Sequence, residues 1–332
     1  MESVKSILIT GGCGFIGHHF VEYIHKHTNW NIVIIDKLSY SSMGFERLRS
    51  NQLFNSPRIK IFTIDLCNPL SEGIKRELGD NTSYIVHMAA ETHVDNSIKN
   101  PSDTILNNVM STVNLLEWAR TLKQLEIFFY FSTDEVFGPA LGTTLYNEND
   151  RHNPTNPYSA SKSAAENICV AYENTYKIPL MIVNVMNAFG ERQHVEKFIP
   201  LCIKKIQNNE KVLIHSYPDK KTSGTRFYIH AQNIANAVLF LINNGKIGEK
   251  YNISGEKEVS NLELAQIIAK VLNKELIYEM IDFHNNRPGH DLRYGLNGQK
   301  IYDMGWNPKF NFEQSLEKTI LWTIANPEWL EE

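Results

Sequence analysis

Short apolar runs alternate with longer amphipathic stretches through the first half of the chain. The runs at 7–10, 31–35, 60–64, 84–88, 127–131 and 180–185 are rich in Ile, Val and Phe and nearly unbroken by polar residues. Strands covered on both faces read this way, whereas a strand with one wet face alternates apolar and polar positions. Between the runs, residues 16–27, 105–121 and 157–176 carry helical patterns. Regular alternation of strand and helix predicts a parallel sheet with right-handed crossovers, in a doubly wound, Rossmann-type α/β fold.

After about residue 190 the rhythm changes. Strand-like 211–215 and 250–254 are separated by loops containing Gly and Lys, helical 261–273 and 312–324 follow, and Pro288-Gly289 marks a turn. We expect residues 1–190 to form a dinucleotide-binding domain that carries the catalytic residues. Residues 191–332 are expected to form mainly a smaller, C-terminal substrate-binding lobe, with some segments crossing back to the sheet. The sequence shows no internal repeat, low-complexity tract or Pro-rich linker.

Composition narrows the function. The 332 residues carry a net charge of -4, with 42% hydrophobic and 21% charged residues, so no basic surface for nucleic acid is expected. Cys13, Cys67, Cys169 and Cys202 are scattered without a C-x-x-C pair, which argues against a zinc site and against a disulfide framework. The N-terminus runs straight into the first strand without a signal-like apolar segment, and no apolar run is long enough for a bilayer. These features predict a cytoplasmic protein in a reducing compartment, with no bound metal and no membrane partner.

The first strand leads into Gly11-Gly12-Cys13-Gly14-Phe15-Ile16-Gly17, and a helix follows. Glycines there allow a tight turn and a close approach of backbone to a pyrophosphate, which then faces the helix N-terminus. Asp36 ends the next strand about 20 residues on, where the dinucleotide fingerprint places an acidic partner for the ribose hydroxyls. That carboxylate would repel a 2′-phosphate and favours NAD over NADP, although Lys37 beside it is a cation that could meet such a phosphate. Asp65 and Leu66 follow the third strand, within reach of the adenine. Met88-Ala89-Ala90 follow the fourth and offer small side chains beside the cofactor.

The candidate chemistry lies at the end of the fifth strand, in Ser132-Thr133-Asp134-Glu135-Val136-Phe137-Gly138. Thr133 offers a hydroxyl to orient a reacting oxygen. Asp134 and Glu135 are adjacent, so repulsion should raise at least one of their pKa values. A protonated carboxyl delivers a proton to a leaving hydroxyl, and an ionised one removes a proton from carbon. Asn156-Pro157 then opens a helix with Tyr158 and Lys162 four residues apart on one face. A nearby ammonium favours the phenolate, so Tyr158 is expected to titrate nearer neutrality. A phenolate can take a hydroxyl proton while carbon gives hydride to a nicotinamide, whose ribose Lys162 could also hold. Two carboxylates beyond that pair imply oxidation followed by elimination.

On these segments, with His87-Met88-Ala89-Ala90-Glu91-Thr92-His93-Val94-Asp95 and Arg287-Pro288-Gly289-His290-Asp291, the chain resembles an extended short-chain dehydrogenase/reductase, specifically a nucleotide-sugar 4,6-dehydratase. The likeness runs nearly end to end, and Thr133-Asp134-Glu135 is its specific part. The resemblance implies a tightly bound NAD regenerated at each turnover. Tyr158 takes the C4 hydroxyl proton as NAD takes the C4 hydride, Glu135 removes the C5 proton, Asp134 protonates the departing C6 hydroxyl, and the hydride returns to C6. It further implies that Asn187 and Lys197 meet the substrate diphosphate, that Arg226, Asn261 and His290 contact the nucleotide, and that His93 and Thr133 touch substrate. A homodimer built on helices 105–121 and 157–176 is implied as well.

Two stretches depart from the family pattern. The usual Ser-Asn-Asn-Tyr-Gly is Met186-Asn187-Ala188-Phe189-Gly190, and Arg-Asp-Trp is Arg226-Phe227-Tyr228. Both lie on the nucleotide side, which leaves dTDP-glucose and UDP-glucose as alternative substrates. A UDP-sugar 4-epimerase or decarboxylase would use the same Tyr158 and NAD while leaving Asp134 and Glu135 idle. A non-catalytic NAD-sensing or scaffold protein would have no need of Tyr158 and Lys162.

Overall fold

The computed structural model describes residues 4–282 and 292–331. In chain order the first half contains β1 (Ser6–Thr10), α1 (Phe15–His27), β2 (Asn31–Asp36), α2 (Glu46–Ser50), β3 (Ile59–Thr63), α3 (Glu72–Leu78), β4 (Thr82–His87), α4 (Val94–Lys99), α5 (Pro101–Ala119), β5 (Ile127–Thr133), α6 (Pro157–Tyr176) and β6 (Leu180–Val185). The second half contains β7 (Asn187–Phe189), α7 (Phe198–Gln207), β8 (Val212–Ser216), β9 (Thr225–His230), α8 (Ala231–Asn244), β10 (Lys250–Ile253), β11 (Glu258–Ser260), α9 (Asn261–Val271), β12 (Tyr278–Asp282), α10 (Gln299–Asp303) and α11 (Phe312–Ala325).

All six apolar runs become strands of one sheet. For the inner strands the pleat explains why they are apolar throughout, whereas β3, at the sheet edge, leaves Lys60 and Thr63 exposed. In β5, Phe129 and Phe131 point into a core covered by α1 and α8, while Phe128 and Tyr130 point into a core covered by α5 and α6. With helices on both faces, neither set of side chains reaches water, so period-2 alternation disappears. The sheet has seven strands in the order β10-β6-β5-β4-β1-β2-β3, and every pairing is parallel. The expected doubly wound fold is thus present. The outermost strand, β10, comes from the second half of the chain and pairs with β6.

Chain order reverses beside β1. The chain steps outward through β2 and β3, then returns to place β4 on the other side of β1. Connections leave the tips of β1 and β4 in opposite directions, and a crevice opens between them, the usual ligand position in such sheets. A directed chain of buried hydrogen bonds fixes its floor. The Ala89 N–H donates to Thr10 Oγ1 at 3.1 Å, Thr10 Oγ1 lies 2.7 Å from His87 Nδ1, and His87 Nε2 lies 3.0 Å from Thr112 Oγ1. Thr112 in turn donates to the Asn108 carbonyl at 2.8 Å. Since Thr112 spends its proton on the Asn108 carbonyl, its oxygen accepts from His87, which puts the His87 proton on Nε2 and leaves Nδ1 to accept from the Thr10 hydroxyl. Burial holds this imidazole neutral, with its pKa down to about 3.

The rest of the second half builds a smaller layer around a three-stranded sheet, β11-β9-β7, and a pair, β12-β8. Ile203, Leu264, Ile268, Leu316 and Ile320 centre its own core, drawn from α7, α9 and α11. Among the described residues, no helix is long and apolar enough to cross a membrane.

Gly17 is the tightest point of the fold at the crevice. A Cβ there would sit 2.0 Å from the Gly11 carbonyl oxygen and 2.8 Å from its carbonyl carbon, so backbone itself would have to move. Gly17→Ala is expected to remove about 1–3 kcal/mol or more of folding stability. A thermal melt unchanged from wild type would show that the turn tolerates a side chain.

Candidate active site

The crevice is a cavity of about 440 Å³ that runs from the glycine turn to the end of β5. At one end, β1 finishes at the turn. Gly11 has φ of 72°, and a Cβ on it would lie 2.9 Å from the Ala89 backbone, so the two loops meet at a distance only glycine allows. Asp36, at the tip of β2, accepts from the Cys13 N–H at 3.0 Å and the Leu38 N–H at 2.8 Å. Burial raises its pKa and these two amides oppose the rise. Gly14, Phe15, Ile16, Gly17, Asp65, Leu66 and Ala89 line the same stretch, so the structure brings together every cofactor residue expected there except Lys162.

At the other end, β5 delivers Thr133 and runs into a turn of 3-10 helix at Asp134–Phe137. The Thr133 hydroxyl donates to Asp134 Oδ1 at 2.9 Å and accepts weakly from the Glu135 N–H at 3.4 Å. Asp134 is buried, and its Oδ2 has no hydrogen-bond partner among the described residues. Burial first, and the charge of Glu135 second, push its pKa up to about 7. The expected repulsion is therefore present, but desolvation outweighs it. Glu135 is held differently. Asn156 Nδ2 donates to its Oε2 at 3.1 Å, and the Tyr294 hydroxyl lies 3.5 Å from the same oxygen.

Asn156 also starts α6. Its Oδ1 accepts from the Ser159 N–H at 2.9 Å while the Ser159 hydroxyl lies 3.2 Å from the Asn156 N–H, a reciprocal cap. Pro157 occupies the first turn, and the helix then carries Tyr158 into the cavity beside Thr133, Asp134 and Glu135.

Lys162 does not line the cavity as expected. Its ammonium donates to the Phe131 carbonyl at 2.6 Å and lies 4.4 Å from the centre of the Tyr130 ring. Burial lowers its pKa to about 8. The expected fall in the Tyr158 pKa is absent in this state. Burial drives that phenol well above its ordinary value, Glu135 and Asp134 add to the rise, and the Thr133 hydroxyl opposes it. An ammonium held on the strand carbonyl does not offset the desolvation.

On the substrate side, His93, Asn187 and Lys197 line the cavity. Arg226 and Asn261 stand behind this wall. Arg226 donates to the carbonyls of Thr225 and Leu292 at 2.8 and 2.6 Å and covers the Tyr294 ring at 4.9 Å. The Asn261 carboxamide accepts from the Tyr228 hydroxyl at 3.2 Å, and Tyr228 does line the cavity. His290 lies outside the described residues.

Sequence reasoning missed three participants. Tyr294 reaches Glu135 from a loop 159 residues away. Arg47 is fully buried on α2, where it donates to the carbonyls of Cys13, Ser41, Ser42 and Arg192 and leaves Nη2 without a partner among the described residues. Glu196 pairs with Lys197 at 3.0 Å and accepts from the Tyr40 hydroxyl at 3.3 Å across the cavity mouth. Only the Glu196-Lys197 adjacency was a visible signal.

A family model described as GDP-mannose 4,6 dehydratase matches residues 8–319. The chain belongs to the nucleotide-sugar 4,6-dehydratases of the extended short-chain dehydrogenase/reductase family. A dTDP-glucose 4,6-dehydratase of Haemophilus influenzae is 35% identical over 343 residues, covering 97% of this chain and 99% of that one. A trifunctional Arabidopsis thaliana enzyme, whose activities include UDP-glucose 4,6-dehydratase, is 35% identical over 333 residues, covering 98% of this chain and 48% of that one. The crystal structure of dTDP-glucose 4,6-dehydratase from Streptomyces venezuelae, solved with NAD bound, superposes with a TM-score of 0.88 at 30% identity, covering 98% and 99% of the two chains. Several 4-epimerases share the fold at 20–24% identity.

The residues of this dehydratase fit a dinucleotide. The glycine turn leaves backbone where a Cβ would block it, a buried guanidinium with an unpartnered nitrogen stands beside that turn, and a carboxylate ends β2.

The raised Asp134 pKa has a consequence for stability. An unfolded Asp titrates near 3.8, and the folded one near 7, so ionising it disfavours the folded state. The penalty is absent below about pH 4, grows up to about pH 7, and is constant above that. Asp134→Asn should therefore stabilise the dehydratase at pH 8 relative to pH 5. Equal melting-temperature changes at the two pH values would contradict the assignment.

Proposed function

We infer that this dehydratase converts a nucleoside-diphosphate glucose, dTDP-glucose or UDP-glucose, to the 4-keto-6-deoxy sugar nucleotide. The observation that carries this reading is the pair of unlike carboxyl groups beside Tyr158: Asp134, buried and poised to hold a proton near neutral pH, and Glu135, held by side-chain hydrogen bonds. An epimerase has no use for such a pair.

Gly11, Gly14, Phe15, Ile16, Gly17, Asp36, Asp65, Leu66 and Ala89 would hold NAD. When bound, NAD supplies a hydride acceptor for C4 of the hexose and a hydride donor for C6. Thr133 orients the C4 hydroxyl, and Tyr158 accepts its proton as the phenolate, a form that burial disfavours in the ligand-free site and that a cationic nicotinamide beside it would favour. The resulting C4 ketone acidifies C5–H, and Glu135 takes that proton. Asp134, protonated in part near pH 7, gives its proton to the C6 hydroxyl and water leaves, and C5 regains a proton by way of Glu135 once C6 carries its hydride. Lys162 keeps most of its charge at neutral pH and stays within one helical turn of Tyr158. Asn187, Lys197 and His93 meet the diphosphate and sugar. Arg226, Asn261 and His290 belong to the nucleotide end. Residues 1–190 thus supply the cofactor and catalytic groups, and 191–332 mainly the nucleotide-sugar side.

We also propose a homodimer joined through α5 and α6. Ile105 and Leu106, 43% and 57% exposed, lie at the open end of α5 and support it. Four free thiols support a reducing, cytoplasmic setting.

Glu135→Gln should slow elimination by about 10²–10⁴-fold while leaving C4 oxidation intact, so reduced nicotinamide accumulates on the enzyme. Wild-type product formation by that variant would remove Glu135 from the base role. Incubation with dTDP-glucose and with UDP-glucose in deuterated water should give, by NMR, a 6-deoxy-4-keto product labelled at C5. An unlabelled C4 epimer would instead establish an epimerase, and the faster substrate identifies the nucleotide. Sedimentation equilibrium should show a dimer, and a monomer at working concentration would dispose of the helix-pairing proposal.

A further inference from the structure

Asp36 explains a preference for the unphosphorylated ribose only if Lys37, the next residue, does not undo it. A lysine beside the ribose carboxylate is a natural counter-charge for a 2′-phosphate. Lys37 lines the cavity next to Asp36. Its ammonium lies 2.6 Å from Glu91 Oε1 and donates to Asn107 Oδ1 at 2.8 Å. Lysine has three donors, and two are engaged here.

We propose that Glu91 sets cofactor choice by neutralising Lys37 and drawing it to the β4–α5 side of the cavity, away from the ribose. The proposal rests on the NAD reading above. Glu91 itself is firmly placed. Its N–H donates to Asn108 Oδ1 at 2.8 Å, and its carbonyl accepts from Asn108 Nδ2 at 3.0 Å. Asn108 also donates to Ser161 on α6 at 2.9 Å, while the adjacent Asn107 donates to Asn108 Oδ1 at 2.9 Å. The amides of α5 therefore hold the carboxylate backbone and the lysine together.

The ion pair is partly exposed, at 33% and 26% for the two side chains, so it contributes little to folding and can be broken without dismantling the core. Its effect is on the adenosine end of the cavity. There Asp36 and Asp65 line the cavity with Lys37, Glu91 holds Lys37 without lining the cavity itself, and Arg47, which also lines it, is buried against carbonyls of the glycine turn and the 41–42 loop. A 2′-phosphate entering this end meets two carboxylates and a lysine already paired to a third, a like-charge juxtaposition that disfavours it. Removing the Glu91 charge frees one ammonium and removes one carboxylate at the same time.

The experiment measures NAD and NADP binding by calorimetry to the full-length protein freed of nucleotide, for wild type, Glu91→Gln, Glu91→Ala, Lys37→Met and the Glu91→Gln/Lys37→Met double variant. Wild type should bind NAD and bind NADP far more weakly. Both Glu91 variants should tighten NADP by roughly tenfold or more while NAD changes by less than about threefold. The double variant should lose that gain, because the freed cation is what accepts the phosphate. No gain in either Glu91 variant overturns the proposal, as does a gain that persists without Lys37. Tight NADP binding by wild type overturns it as well. Binding of neither nucleotide by wild type would instead remove the NAD reading on which it stands.

Discussion

The parting of β1 from β4 is the constraint on which the site depends. Every strand of the central sheet is parallel, so every strand ends on the same side, and the loop after each one arrives at the same rim. The glycine turn follows β1, Asp36 closes β2, Asp65 follows β3, Ala89 and His93 follow β4, Thr133 closes β5, and Asn187 follows β6. Residues 176 positions apart in the chain become neighbours through topology alone. The crevice keeps its shape because its floor is tied: Thr10, His87 and Thr112 hand one hydrogen bond to the next beneath it, and the Gly11–Gly17 contact closes the turn above it.

On that frame, two adjacent carboxyl groups acquire different chemistry from different surroundings. Both come from one turn of 3-10 helix, and neither residue type alone tells the two apart. Asp134 faces a buried space with one hydroxyl for company, so its neutral form is favoured. Glu135 receives an amide donor from Asn156 and approaches the Tyr294 hydroxyl, and donors favour an ionised carboxylate. Asn156 does this while capping α6, which couples the placement of Glu135 to the start of the helix that carries Tyr158.

Much of this was legible in the sequence, for identifiable reasons. Most of the apolar runs were visible because strands covered on both faces leave few polar positions to confuse the pattern. The glycine turn and Asp36 were visible because they interact through local spacing. What was hidden depends on contacts distant in sequence. β10 has only Tyr251 and Ile253 as apolar residues, and pairing with β6, not its own composition, places it in the sheet. Lys162 was assigned to the cofactor from its spacing to Tyr158, but a carbonyl of β5 lies within its reach and competes for the ammonium. The Tyr158 pKa was read from one neighbour, whereas burial of the whole side chain decides it. Lys37 was ambiguous because its partner, Glu91, lies 54 residues away beyond two strands.

The nucleotide end is the least local of all. The resemblance assigns Arg226 to the nucleotide, yet it donates to two backbone carbonyls and lies over the face of Tyr294. Such a guanidinium is oriented before any ligand arrives, which reduces the conformational freedom to be lost on binding. The edge of the same Tyr294 reaches toward Glu135. One aromatic side chain therefore rests against a cation at the nucleotide end and a carboxylate at the catalytic end. The two ends of the site share a wall, and the geometry of the carboxylate is not independent of Arg226, the residue proposed to stand beside the nucleotide.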